Sequence, residues 1–458
     1  MAITGRAVAC AFFGAVLVAL TPSPGWTLLA VNLVVAGLVA LDVALAGSVR
    51  ALEFSRSGPR GARLGPGSLS DERSSSERCA VPLVLTISNN GMRTVRARVR
   101  DGWPPSAGAR PGVFEVAVPA GERRFLESTL YPTRRGDREP YRITVRSLGP
   151  LGLAGRQGRH YAPWRVRVLP PFHSRRHLPA ALARLHEVEG QVAIRGGGAG
   201  SEFDSLRDYV IGDDVRSIDW RGTARRGAVV VRTFRPERDR RVICVLDTAR
   251  TSAGRVGALA PQPDGRPAVG GGVPRLDHAL DAALLLSAVA SRAGDRVGLI
   301  AHDSEARLVL PDSAEANLLG RMSEAMATLE PALVEADHDG LVSTVLRTAR
   351  RRSLVVIFTE LVPAVVEESL LPALPALTSR HTVLVAALRD PRLAELAAGR
   401  GDVRKIYAAA AAEQTLLRRR KLTEELRGRG VEVVDADPDT YAPAVTDAYL
   451  TLKSLGRL

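Results

Sequence analysis

The chain has 458 residues, 45% hydrophobic and 24% charged, which is globular rather than disordered and long enough for two or three domains. Its formal net charge of +14 comes from 63 Lys and Arg against 49 Asp and Glu, but the arginines are spread over every segment, which argues against a nucleic-acid footprint. Three separated cysteines, Cys10, Cys79 and Cys244, support neither a disulfide framework nor a zinc cluster and fit a reducing compartment.

Residues 1–50 read as a transmembrane helical hairpin. Ile3 to Leu20 is apolar apart from Thr4, Arg6 and glycine, just long enough to span. A Thr21–Gly25 turn follows, and a second apolar run extends from Trp26 to about Ala46. A cleaved signal peptide is the competing reading, but a second apolar stretch follows at once and no small-residue cleavage pattern closes the first. Arg6 precedes the first run, the turn has no basic residue, and Arg50, Arg56, Arg60 and Arg63 follow the second. The expectation is a multi-pass plasma-membrane protein with both termini in the cytosol. Asp42, near the cytosolic end, is expected to reach the interface.

Residues 51–80, rich in Ser, Arg, Gly and Pro, read as a linker. Residues 81–171 then hold short strand-like runs: Val81–Ser88, Val95–Val99, Val113–Val118, Arg124–Leu130, Tyr141–Ser147 and Trp164–Leu169. Their spacing predicts a small antiparallel β-sandwich with Tyr131, Tyr141, Tyr161 and Trp164 in its core.

Residues 172–239 open with a helix over Pro179–Glu189 and a glycine-rich break at Gly196–Gly200. The most distinctive stretch follows, with Arg207, Tyr209, Gly212, Asp213, Asp214, Arg216, Asp219 and Trp220. Asp213, Asp214 and Asp219 can accept hydrogen bonds that Arg207, Arg216 and Arg225 supply, which predicts an internally paired polar loop. A Mg²⁺ or Ca²⁺ site is the sharper alternative, but the interleaved arginines would compete with the cation.

This Leu-Arg-x-Tyr-x-x-Gly-Asp-Asp-x-Arg-x-Ile-x-Trp run (Leu206–Trp220) resembles the signature of the domain of unknown function family 58. The resemblance implies paired N-terminal spans, a β-rich middle, and a C-terminal domain similar to the von Willebrand factor type A fold. It further implies a non-enzymatic companion of a MoxR-type AAA+ ATPase.

Residues 240–458 support an α/β fold independently. Buried strands at Arg241–Leu246, Ser353–Thr359, His381–Leu388 and Val431–Val434 alternate with helices. A hairpin of Arg296–Ala301 and Ala306–Leu310 belongs at a sheet edge. The pattern is a mostly parallel, doubly wound sheet. In the type A fold, Asp-x-Ser-x-Ser after the first strand helps to hold a divalent cation such as Mg²⁺ or Mn²⁺. The aligned residues here are Asp247, Ala249 and Thr251, with Glu360 at a later strand end. Asp247, Thr251 and Glu360 are therefore the candidate metal ligands of a depleted site, since Ala249 has no side-chain oxygen. The glycine- and proline-rich segment Ala253–Pro274 is expected to loop beside it.

The sequence holds no Gly-x-Ser-x-Gly elbow, His-Glu-x-x-His or P-loop. The leading expectation is a membrane-anchored, non-enzymatic scaffold that presents the α/β domain to a cytosolic partner. A metal-dependent ligand-binding or adhesion module is the alternative, and a metal-assisted hydrolase using Asp213, Asp214 or Asp219 is the third reading.

Overall fold

The computed structural model describes residues 2–64, 79–195, 202–210, 213, 215–235, 240–257 and 272–458. Gly212 and Asp214 of the signature, the glycine-rich break at 196–200 and most of the 253–274 segment lie outside the described residues. The chain divides into two compact units, Met1–Leu169 and Pro170–Leu458.

The first unit begins with a two-residue strand, β1 (Ala2–Ile3), and two helices, α1 (Gly5–Leu20) and α2 (Pro24–Leu45). The helices form the expected hairpin: a side chain at Gly14 would run into Val31, and the Thr21 and Thr27 hydroxyls meet at 2.8 Å. The two spans expected from the sequence reduce to one candidate. Ile3 pairs with Ala154 in a sheet, which leaves α1 with 16 residues. At 1.5 Å per residue that is about 24 Å, short of a hydrocarbon core about 30 Å thick. Only the stretch Pro24–Ala51, with a mean hydropathy of 2.4, is long and apolar enough to cross a membrane among the described residues.

Asp42 does not reach toward solvent. It is fully buried, and its carboxylate accepts the backbone N–H groups of Leu151, Leu153 and Ala154 at 2.7–2.8 Å. One acid thus satisfies three donors of a tight turn and ties α2 to the sheet.

The rest of this unit is a sandwich built from β2 (Leu52–Ser57), β3 (Gly61–Arg63), β4 (Val81–Asn89), β5 (Val95–Asp101), β6 (Val113–Val118), β7 (Arg123–Leu130), β8 (Gly136–Arg138), β9 (Ile143–Leu148), β10 (Ala154–His160) and β11 (Val166–Leu169). A five-stranded sheet, β1-β10-β9-β5-β6, packs against β2-β4-β7 through Ile87, Val95, Val99, Leu126 and Val145, and β3-β11-β8 forms a third sheet. The segment expected to be a linker therefore contributes β2 and β3. Arg56, read above as one of the basic residues after the second apolar run, lies buried against Asp101, which also accepts the Trp103 indole N–H at 2.9 Å. The aromatic expectation also needs correcting. Tyr141 and Tyr161 are about two-thirds exposed, and Trp103 fills the core instead.

The second unit opens with α3 (Leu178–Arg195), β12 (Glu202–Asp208), α4 (Trp220–Arg226) and β13 (Val230–Arg235). Its centre is a six-stranded sheet of β14 (Arg241–Asp247), β15 (Arg296–His302), β16 (Ala306–Ser313), β17 (Leu354–Phe358), β18 (Thr382–Leu388) and β19 (Glu432–Ala436). The spatial order is β16-β15-β14-β17-β18-β19, and all neighbours are parallel except the β15–β16 edge hairpin. Strand β14 shows why both faces are covered. Val242, Cys244 and Leu246 pack under α5 (Arg275–Arg292) and α11 (Pro438–Ser454), while Ile243 and Val245 face α7 (His338–Thr348) and α8 (Leu371–Thr378). The period of two along a strand sends alternate apolar residues to opposite helical layers, so the whole strand reads as hydrophobic. Helices α6 (Leu318–Ala327), α9 (Pro391–Ala397) and α10 (Val403–Gly428) also belong to this unit.

Candidate functional site

The chain runs from β14 outward to β15 and β16, then returns to the other side of β14 to lay down β17, β18 and β19. The sheet order thus reverses between β14 and β17, and in open α/β sheets the crevice beyond the strand carboxyl ends at such a point is where ligands bind. Asp247 ends β14, and Thr359 and Glu360 follow β17.

Asp247 is buried, and both of its oxygens are engaged. Oδ1 accepts the Ala249 N–H at 2.8 Å, and Oδ2 accepts the hydroxyls of Thr251 at 3.0 Å and Thr359 at 2.7 Å. Asp247, Thr251 and Glu360 line one cavity of about 20 Å³, room for about one water molecule. Glu360, however, is held by guanidinium groups on both oxygens: Arg275 on Oε2 and Arg419 on Oε1. Arg419 also donates to Asp435 at 2.7 Å, and Arg275 to the Leu388 carbonyl at 2.8 Å. Burial, together with the neighbouring Arg419 charge, pulls the pKa of Arg275 down to about 10.

The divalent cation implied by the type A resemblance does not fit this donor set. Glu360, expected as a ligand, has no oxygen to give, and a guanidinium occupies the space beside it. No group of three His, Cys, Asp or Glu is placed to hold a metal ion among the described residues. Cys244 is no nucleophile either, since burial pushes its thiol up to about 12.

A second polar cluster adjoins the end of β15, and sequence reasoning missed most of it. Asp303 is buried and accepts the Ser304 N–H at 2.6 Å and Arg307 Nε at 2.7 Å. Its burial favours the neutral acid, but Arg307 and the backbone donors outweigh that and lower its pKa. His302 is buried at the strand end, with Nδ1 2.9 Å from the Asp303 carbonyl, and His338 places Nδ1 2.8 Å from the Ser369 hydroxyl. Burial lowers the pKa of His338 despite the nearby Asp247 and Asp337. His302, Asp303, His338 and Ser369 match no motif spacing, so only the fold brings them together.

His278, one turn beyond Arg275 on α5, has a buried Nε2 with no hydrogen-bond partner among the described residues. Burial, with the His173 and Arg275 charges adding, lowers its pKa to about 4. The folded value lies below the unfolded one near 6.5, so the unfolded chain binds the proton first. Stability contributed by the neutral ring is therefore present above pH ~6.5, falls with pH, and is lost below pH ~4, on the order of 3 kcal/mol in all. His278→Gln should flatten the melting temperature between pH 7 and 4 relative to the parent chain, and an unchanged slope would refute this.

The signature region is not a free polar loop. Strands β12 and β13 pair antiparallel, and Asp219 joins the pair through its N–H to the Val230 carbonyl at 2.9 Å. Arg207 grips Asp213 with two bonds of 2.6 and 2.8 Å, and the Val210 N–H adds a third contact to that carboxylate. The Arg207 guanidinium beside Asp213 holds the carboxyl below its usual range. Asp219 caps α4 through the Arg221 and Gly222 N–H groups and accepts Arg232 Nε at 2.9 Å. Arg232, not Arg225, is the partner here. Tyr209 donates its N–H to the Val229 carbonyl, and Arg216 lies in a short helical turn (Val215–Ser217). Trp220, the first residue of α4, is 69% exposed, and Val210 and Val215 are 61% and 64% exposed.

Residues 205–427 match the model of the family described as Protein of unknown function DUF58. Uncharacterized proteins of Mycobacterium tuberculosis and Mycobacterium bovis are 27% identical to this chain over 201 residues, 43% of it. The chain spans 58% of the length of these relatives. Among solved structures, the hypothetical protein BatB of Bacteroides thetaiotaomicron is 15% identical, with 46% of this chain and 98% of that one covered at a TM-score of 0.27. An aerotolerance-related membrane protein of Bacteroides fragilis is also 15% identical, with 46% and 98% covered and a TM-score of 0.26.

Proposed function

We propose that this chain is a membrane-anchored, non-enzymatic docking protein whose second unit, of von Willebrand type A-like topology, presents a fixed surface to a cytosolic protein partner. The observation that carries this reading is Trp220. An exposed tryptophan costs solubility, and this one stands on a helix start locked by Asp219, Arg232 and the β12–β13 pair. Rigid, exposed aromatic residues are the usual anchors of protein interfaces. Arg221, Arg225 and Arg226 are exposed on the same short helix, so the favoured partner surface is acidic. The family resemblance makes a MoxR-type AAA+ ATPase the partner to test.

In this reading α2 is the anchor, α1 packs along it as the second arm of the hairpin, and the arginines after α2 keep the soluble units cytosolic. The test is binding of a purified MoxR-type ATPase to the full-length protein in detergent. Trp220→Ala should weaken binding at least tenfold, the loss expected of an interface anchor worth about 2 kcal/mol, with the melting temperature unchanged. Equal binding by parent and variant would sink the proposal.

A further inference from the structure

The exposed face of the five-stranded sheet is unusually basic. Along β5 the buried residues Val95, Ala97 and Val99 alternate with exposed Arg96, Arg98 and Arg100. In register, Arg98 lies directly opposite Arg146 of β9, and Arg159 of β10 lies opposite Thr144 on the same face. Glu115 of β6 sits on the other side of Arg98 and is the acid that this stretch of the face offers. Among the described residues, Arg96, Arg98, Arg100 and Arg159 have no carboxylate partner, and Arg146 donates to Gln157 at 2.8 Å. Like charges directly opposite across a ladder destabilise a sheet. Arg98, Arg100, Arg146 and Arg110 line one open cavity of about 620 Å³. Its acid, Asp101, is already engaged by Arg56 and Trp103.

The position of this face relative to α2 says what could neutralise it. The 22 residues of α2 reach about 33 Å, slightly more than a hydrocarbon core, so its last turn falls at the interface. There Asp42 binds the turn between β9 and β10, and Arg93 and Arg156 donate to the Ala44 and Val43 carbonyls. Leu148 and Leu151 are exposed at the same end. Arg146 lies two residues up the strand from Leu148, about 7 Å away, and the headgroup layer is about 5–8 Å deep.

We infer that the arginine face of the sandwich, centred on Arg98 and Arg146, binds the phosphates of anionic phospholipid headgroups in the membrane that holds α2. This rests on α2 being the anchor. It makes the sandwich a second, electrostatic contact with the bilayer, which fixes the unit's orientation as well as its distance from the membrane.

The test uses the full-length chain in dodecyl maltoside, titrated with phosphatidylglycerol, phosphatidylcholine or inorganic phosphate, with binding and melting temperature as readouts. Phosphatidylglycerol should bind, raise the melting temperature and lose affinity as salt is added, while phosphatidylcholine should do neither. Arg98→Glu should cut phosphatidylglycerol affinity about tenfold and leave the melting temperature without lipid close to that of the parent, because the attraction gained with Arg146 is offset by repulsion from Glu115. Arg98→Lys should retain most of the binding. Unchanged lipid affinity in Arg98→Glu, or displacement of the lipid by inorganic phosphate at equal concentration, would overturn the inference. Alkaline carbonate extraction of cell membranes reports the anchor separately: Arg98→Glu should stay in the pellet with the parent chain, and release of both would count against the anchor itself.

Discussion

Glu360→Gln is expected to cost the second unit about 3–5 kcal/mol, among the largest losses from any single substitution in this chain. Glu360 is more than nine-tenths buried and is the carboxylate in direct contact with both guanidinium groups; Asp435 also pairs with Arg419, and Asp390 acts on Arg275 from further off. The neutral amide would leave Arg275 with the Leu388 carbonyl as its remaining acceptor in a space that water barely enters. Breaking a buried pair costs far more than the pair contributes when intact, because the stranded charge keeps its desolvation penalty. Arg275→Met leaves one positive charge against two negative ones, but it should be milder, since Glu360 keeps its bond to Arg419 and the Arg275 side chain is one-fifth exposed, so water reaches the unbalanced charge. Urea unfolding of the two variants in detergent, followed by circular dichroism, separates the cases. A Glu360→Gln loss below about 1 kcal/mol would mean that water or a counter-ion screens the cluster. The same pair tests the metal question: if Mg²⁺ stabilised the parent chain, Glu360 would have to abandon both arginines to serve it.

The α/β unit was legible because its signals are strong and local. The continuous apolar run of β14, and the later strands spaced by helix-length segments, dictate a parallel sheet covered on both faces. The strand-end position of Asp247 was equally readable. What was not readable is the neighbourhood of each charge. Glu360 at a strand end looks like a ligand until Arg275, 85 residues earlier, and Arg419, 59 residues later, are folded onto it. Arg56 looked like part of a topological flank because a single basic residue says nothing of the buried Asp101 that receives it. Asp42 followed the same rule: an acid in an apolar helix carries a cost from the sequence alone, and only the β9–β10 turn, more than 100 residues away, supplies the three donors that offset it. The signature is the instructive intermediate case. Its acids and arginines do pair locally, Arg207 with Asp213 six residues on, but Asp219 takes its guanidinium from Arg232, beyond the motif.

At the opposite end of the sheet from the candidate site, Lys453→Met is expected to destabilise the second unit by about 3–5 kcal/mol. Lys453 and Asp295 are both more than nine-tenths buried, and the ammonium donates to both carboxylate oxygens at 2.8 and 3.0 Å. The Tyr449 hydroxyl completes the set with a 2.6 Å bond to the same carboxylate. This triad fastens the last helix, α11, to the turn between α5 and β15, so it closes the helical layer on one face of the sheet. Burial holds Lys453 below its ordinary pKa even though Asp295 draws it up, so desolvation is the larger influence and the pair is costly to keep. The single change strands the carboxylate with one hydroxyl donor. Removing both charges, Lys453→Met with Asp295→Leu, leaves no buried ion, and the double variant should recover at least half of the loss. A double variant as unstable as the sum of the two single changes would instead mean that the triad acts through backbone geometry at the α5–β15 turn, where the Asp295 N–H donates to the Ala290 carbonyl at 2.9 Å. Chemical unfolding of the three variants and the parent chain decides between these outcomes.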